Sequence, residues 1–119
     1  MTLMKRIISF SDKRLAAFIA NSFREIFSYL SIDTEILMSS DIPKDNSLRG
    51  KDKILQICEI LGADTYYNAI GGQNLYDKKE FSEHGIVLNF VDTIPKVYSQ
   101  LRTKEFVPYL SMIDVLMNN

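Results

Sequence analysis

The chain has 119 residues, 46% apolar and 24% charged, with 14 Lys and Arg set against 15 Asp and Glu. That length suffices for a folded core, and the near cancellation of charge excludes a protein that grips nucleic acid by neutralising phosphates, since neither a basic excess nor a basic stripe is present. A single cysteine, Cys58, excludes an intramolecular disulfide, the apolar runs are too short for a membrane helix, and the charges inside the apolar patch from Met1 to Ile8 lack the order of a signal peptide, so the expectation is one cytoplasmic domain over 1–119 with no membrane insertion.

The first periodic stretch runs from about Ser11 to Leu30, where Leu15, Phe18, Ile19, Phe23, Ile26, Phe27 and Leu30 trace one stripe of an amphipathic helix. Ser11 is placed to cap it and Asp12 sits at the positive end of its dipole. Leu30-Ser31-Ile32-Asp33-Thr34 then leads into an expected strand, Glu35-Ile36-Leu37-Met38, followed by a polar, Pro43-containing surface loop over 39–50. A second helix is expected from about Lys51 to Leu61 on the spacing of Ile54, Ile57, Cys58 and Leu61, closed by Gly62; Cys58 falls on its core stripe.

Leu61-Gly62-Ala63-Asp64-Thr65 repeats the earlier turn in frame, 31 positions on, and leads into a second strand, Tyr66-Tyr67-Asn68-Ala69. A third helix, turn and strand follow as Lys78 to Glu83, Gly85, and Ile86-Val87-Leu88-Asn89-Phe90. Helices alternating with strands favour parallel pairing through crossovers. The expected class is therefore α/β, a short parallel sheet of about three strands with flanking helices, as in a Rossmann-like half-domain. An irregular segment over 91–105 precedes a C-terminal helix expected at about 108–117, docked on the sheet.

Ligands of open parallel sheets bind beyond the carboxyl ends of the strands. The loops there carry Ser39, Ser40 and Lys44, then Arg49 and Lys51 entering the second helix, then Gly71-Gly72-Gln73-Asn74 with Tyr76, and finally Asp92. The Gly-Gly step reads either as a simple turn or as a cradle of backbone donors for an anion; it lacks the longer glycine motifs of dinucleotide and P-loop sites. His84, the one histidine, stands at a helix end, where capping accounts for it. No histidine pair, cysteine cluster or calcium-loop spacing is present, so no metal and no cofactor are expected, and no motif marks a nucleophile, which leaves the catalytic residues unknown. Tyr66 and Tyr67 must point to opposite faces of their strand, while Tyr76, Tyr98 and Tyr109 suit either loop packing or stacking on a sugar.

Several runs together resemble the WbqC-like protein family: Lys51-Asp52-Lys53-Ile54-Leu55, Leu61-Gly62-Ala63-Asp64-Thr65-Tyr66-Tyr67, Gly71-Gly72-Gln73-Asn74-Leu75-Tyr76, Phe81, Gly85-Ile86, Tyr98-Ser99-Gln100, and Phe106-Val107-Pro108-Tyr109-Leu110-Ser111-Met112-Ile113-Asp114. The closing run from Phe106 to Asp114 is the most specific, and Leu30 to Thr34 with Ser39-Ser40 fits the family's helix, strand and Ser-Ser segment. The resemblance is to the C-terminal half of the usual member; a preceding half with a Gln-Pro-x-Tyr strand start is expected to be absent. Lys51-Asp52-Lys53-Ile54-Leu55 also departs from the family's Lys-Thr-x-Arg-Leu.

The family is associated with bacterial surface polysaccharide (O-antigen and lipopolysaccharide) biosynthesis. The resemblance thus implies group transfer on a nucleotide-linked or amino sugar, with Lys51, Gly71, Gly72, Asn74, Tyr76, Ser39, Ser40, Ser111 and Asp114 as ligand-binding residues. Lys51 would neutralise an anionic group, Gly71-Gly72 present backbone donors and Tyr76 stack or hydrogen-bond, while Ser111 and Asp114 serve either the ligand or the anchoring of the last helix. Open sheet edges add the expectation of a homodimer or a partner chain covering them. The alternative reading is a non-catalytic module, a truncated paralogue that binds a ligand or partner, because no complete catalytic motif is present.

Overall fold

The computed structural model describes residues 2–101 and 105–118, which fall into two compact units, Met1–Lys44 and Asp45–Asn119. In the first unit, the N-terminal apolar patch forms a short helix, α1 (Leu3–Ile8), that packs on α2 (Leu15–Leu30). Ile7 of α1 and Ala20 of α2 are buried, and Arg6 Nε donates to Glu25 Oε2 at 2.6 Å across the pair. α2 starts four residues later than the sequence suggests, and Ser11 does not cap it. The carboxylate of Asp12 accepts instead from the Arg14 backbone N–H at 3.0 Å and grips its guanidinium, so the chain turns before the helix begins.

All three longer turns that leave helices share one hydrogen-bond pattern. After α2, the N–H of Ser31 donates to Ser28 O and that of Ile32 to Phe27 O; after α3 (Gly50–Ile60), Gly62 donates to Glu59 O and Ala63 to Cys58 O; after α4 (Lys78–Glu83), Gly85 donates to Ser82 O and Ile86 to Phe81 O. Each is a Schellman closure, with its left-handed residue at φ 56° (Ser31), 63° (Gly62) and 72° (Gly85). The in-frame repeat seen in the sequence is thus a repeat of helix termination.

Strand formation follows only two of these turns. β1 (Thr65–Ala69) and β2 (Val87–Val91) pair in parallel, Thr65 with Val87 through Ala69 with Val91, and α4 lies on the crossover between them. The α/β class holds, but with a two-stranded sheet in place of the three strands expected. The expected strand at Glu35 to Met38 runs without regular structure into a 3-10 turn at Ser39–Asp41, because among the described residues no strand offers it a ladder partner. Loop 39–50 is correspondingly shorter: it holds that turn, a tight Asp45–Ser47 turn with Asp45 Oδ1 accepting from Ser47 N and Oγ, and it ends where α3 begins at Gly50.

The second unit's core comprises Leu55 and Cys58 from α3, Phe81 from α4, and Ile86 and Leu88 at β2, with Tyr66, Tyr76 and Phe90 packed around them. Alternation along β1 turns Tyr66 to this core and leaves Tyr67 64% exposed. The last helix, α5 (Met112–Asn118), starts later than expected, since Pro108 and the left-handed Tyr109 (φ 60°) keep the preceding residues out of helical geometry. Tyr98, Gln100 and Leu101 are hydrogen-bonded to it. Of the irregular segment expected over 91–105, residue 91 ends β2 and 102–104 lie outside the described residues.

Candidate functional site

The parallel register brings the carboxyl ends of β1 and β2 side by side, and a groove of about 590 Å³ opens there. Ile70 and Gln73 line it from the 3-10 turn (Ile70–Gly72) and the bend that follows β1, Tyr76, Asp77 and Lys78 from the entry to α4, and Asn89 and Phe90 from β2 itself. This is the position that strand polarity favours for a ligand in a parallel sheet.

Each lining group is held by a local cause. Tyr76 stands in a cluster of three rings, edge-on to Phe81 (centroids 5.9 Å, 81°) and to Tyr66 (6.2 Å), while Tyr66 stacks on Phe81 at 5.7 Å. Burial pushes the Tyr66 phenol above its ordinary pKa, so it stays neutral. Asp77 is the α4 cap: its Oδ1 accepts from Lys79 N at 2.6 Å and Glu80 N at 3.4 Å. Lys78, by contrast, is exposed and makes no hydrogen bond or ion pair among the described residues. The groove therefore offers two rings, two amides and one uncommitted cation.

Among the residues expected from the sequence, Tyr76 lines this groove. Gly71, Gly72 and Asn74 belong to the same turn as Ile70 and Gln73: Gly71 and Asn74 are exposed, and Gly72 is buried so close to Asn68 that an added Cβ would collide with Asn68 Nδ2 and lie 3.1 Å from its Cγ. Lys51, in the first turn of α3, donates from Nζ to Glu80 Oε1 of α4 at 2.6 Å, and that carboxylate holds its ammonium above the ordinary lysine pKa.

Ser111 and Asp114 stand together elsewhere in the second unit. Ser111 Oγ accepts from Ile113 N at 3.2 Å at the start of α5, and Asp114 Oδ2 accepts from the Tyr98 hydroxyl at 2.6 Å and from Gln100 Nε2 at 3.0 Å. The Gln100 amide also behaves as a peptide group toward Val107, donating to its O at 2.9 Å and accepting from its N–H at 2.8 Å. The Tyr98 phenol is held above its ordinary pKa because it donates to the Asp114 carboxylate. These bonds fasten Tyr98, Gln100 and Val107 to the last helix, which gives Tyr98, Gln100, Ser111 and Asp114 a structural role. Ser39 and Ser40 lie in the first unit, where Ser39 O accepts from Lys44 Nζ and Ser40 Oγ donates to Asp41 Oδ1 at 3.1 Å.

Sequence reasoning did not single out Ile70, Lys78, Asn89 or Phe90. One signal was available for Asn89, the only polar residue in the run from Ile86 to Phe90. His84 pairs with Glu59, Nδ1 to Oε1 at 2.8 Å, and is not a lining residue of the groove. No three His, Cys, Asp or Glu side chains converge into a metal-ligand set among the described residues, and none of the described helices is long and apolar enough to cross a membrane. Neither a curated protein nor a solved structure matches the chain. The family whose pattern it does match does so over residues 1–119, and on that match the chain belongs to the WbqC-like protein family.

Proposed function

We propose that this chain acts in bacterial surface polysaccharide biosynthesis, on the O-antigen or lipopolysaccharide side, and that it performs group transfer on a nucleotide-linked or amino sugar seated in the strand-end groove. The single observation that carries this reading is the lining of that groove, in a chain of the WbqC-like family. Tyr76 and Phe90 offer faces and edges for the C–H surface of a sugar or for a base. Gln73 and Asn89 each present a donor and an acceptor to hydroxyls or amides, and Lys78 supplies the charge that a phosphate requires. Gly71, Gly72 and Asn74 shape the turn beside it, and Lys51, tied to Glu80, positions α3 against α4. In this reading the chain works in the cytoplasm as a homodimer, or with a partner chain, that covers the sheet edges β1 and β2 leave unpaired.

A thermal-shift screen of the purified chain against nucleotide sugars and amino sugars tests it, with mass in solution read by light scattering on the same sample. The expected result is a clear shift with one such sugar that is lost in Lys78→Ala and reduced in Tyr76→Phe, followed by detectable turnover of that compound. Absence of a shift with every sugar tested counts against the site.

A second reading, a non-catalytic binding module, is favoured by one observation: the one carboxylate lining the groove among the described residues, Asp77, is engaged through Oδ1 in capping α4. A ligand that binds in the groove and is recovered chemically unaltered supports the module over the enzyme.

A further inference from the structure

The first unit contains a cleft of its own, of about 350 Å³, between α2 and the chain around Ser39–Asp41. Its floor is the α2 row Ala16, Ala20 and Arg24, residues four apart that stack along one helix face. A helical side chain leans toward the helix N-terminus and covers the turn before its own Cα. Arg24 lines this cleft beside Ala20 and also borders the neighbouring hollow walled by Phe27 and Ile32. Arg24 makes no hydrogen bond or ion pair among the described residues, in contrast to Arg14 at the other end of the cleft, whose guanidinium is gripped by Asp12 at 2.6 Å. Phe10, Met38, Ser40 and Asp41 complete the lining.

We infer that this cleft is a second small-molecule site, separate from the strand-end groove, and that it takes a phosphomonoester of a hydroxylated or aminated ring. The planar guanidinium of Arg24 matches two phosphate oxygens, and with no competing carboxylate bound to it the fork is available. The alanine methyls and the Phe10 ring present an apolar surface that suits the C–H face of a sugar ring. Asp41 and Ser40, already joined by the 3.1 Å hydrogen bond, accept from a hydroxyl or an ammonium. The volume is that of a site for a small ligand. This assignment stands whether or not the groove in the second unit binds a sugar.

The test is a titration of the full-length, nitrogen-15-labelled chain with glucosamine 6-phosphate, followed by NMR amide shifts. Saturable shifts at Ala17, Ala20 and Ser40 are expected, with affinity weakened roughly tenfold or more in Arg24→Gln, as loss of a charge-assisted pair implies, and partly retained in Arg24→Lys. Arg24 is an exposed position on a helix and glutamine is a good helix former, so the variant keeps its fold, which its own amide spectrum reports. Shifts absent from these three amides at millimolar ligand, or an affinity unchanged in Arg24→Gln, overturn the assignment.

Discussion

Adjacent glycines in one turn carry different physical burdens. Gly71 has open space where a Cβ would stand, whereas at Gly72 the added atom meets the end of the Asn68 side chain and comes within 3.5 Å of Tyr76 Cδ2. Gly71→Ala is expected to leave stability unchanged, while Gly72→Ala should cost about 1 kcal/mol as Asn68 shifts, a contrast that parallel urea titrations measure. Equal effects of the two substitutions would show that the packing at Gly72 is looser than described. A second residue-scale consequence concerns Asp12, whose carboxyl is held down from its ordinary 3.8 to about 2, first by the hydrogen bond from the Arg14 side chain and then by that from its backbone. A depressed folded-state pKa means that this stabilisation is complete above the unfolded value and is lost as pH falls through the window between roughly 4 and 2. Carboxyl NMR titration should find Asp12 still ionised at pH 3, and Arg14→Ala should return it toward the ordinary value.

Among the elements, the helix terminations were the most legible feature of the sequence. The local hydrogen bonds of a Schellman closure involve only six consecutive residues, so Gly62 and Gly85 announce them without help from the rest of the fold. Ser31 fills the same role at φ 56°, a conformation that costs an L-residue about 1 kcal/mol. Ser31→Gly is therefore expected to raise the stability of the first unit by up to about 1 kcal/mol, seen as a higher midpoint in thermal or urea unfolding followed by circular dichroism. A lower midpoint would mean that the serine side chain contributes something the backbone geometry does not. Start positions were harder to read. Ser11 has the right chemistry for a cap but Asp12 bonds to Arg14 instead, and Pro108 suggested a helix start although the left-handed Tyr109 delays α5 to Met112. At both sites two short-range options compete within a few residues, and propensity does not rank them.

For the molecule as a whole, stability in the second unit rests on a small core centred on Phe81, which is completely buried and touches the rings of both Tyr66 and Tyr76. Phe81→Ala should destabilise by about 3–5 kcal/mol, measured by urea unfolding with tyrosine fluorescence, for which the chain is suited because it contains no tryptophan. A loss under about 1 kcal/mol would place the core elsewhere. The same ring connects the fold to the candidate groove, since it fixes the orientation of Tyr76. By itself the sequence determined the α/β class, the buried role of Cys58, the helix α4 and the two pairing strands to within one residue, because amphipathic spacing, the recurring helix, turn and strand pattern and terminal glycines act over short distances. Tertiary structure alone decided that Glu35 to Met38 forms no strand, since a ladder needs a partner that local pattern cannot supply. It also decided which cations have partners: Lys51 is tied to a carboxylate 29 positions away, and Lys78 and Arg24 have none among the described residues, a matter of long-range placement that composition and spacing do not encode.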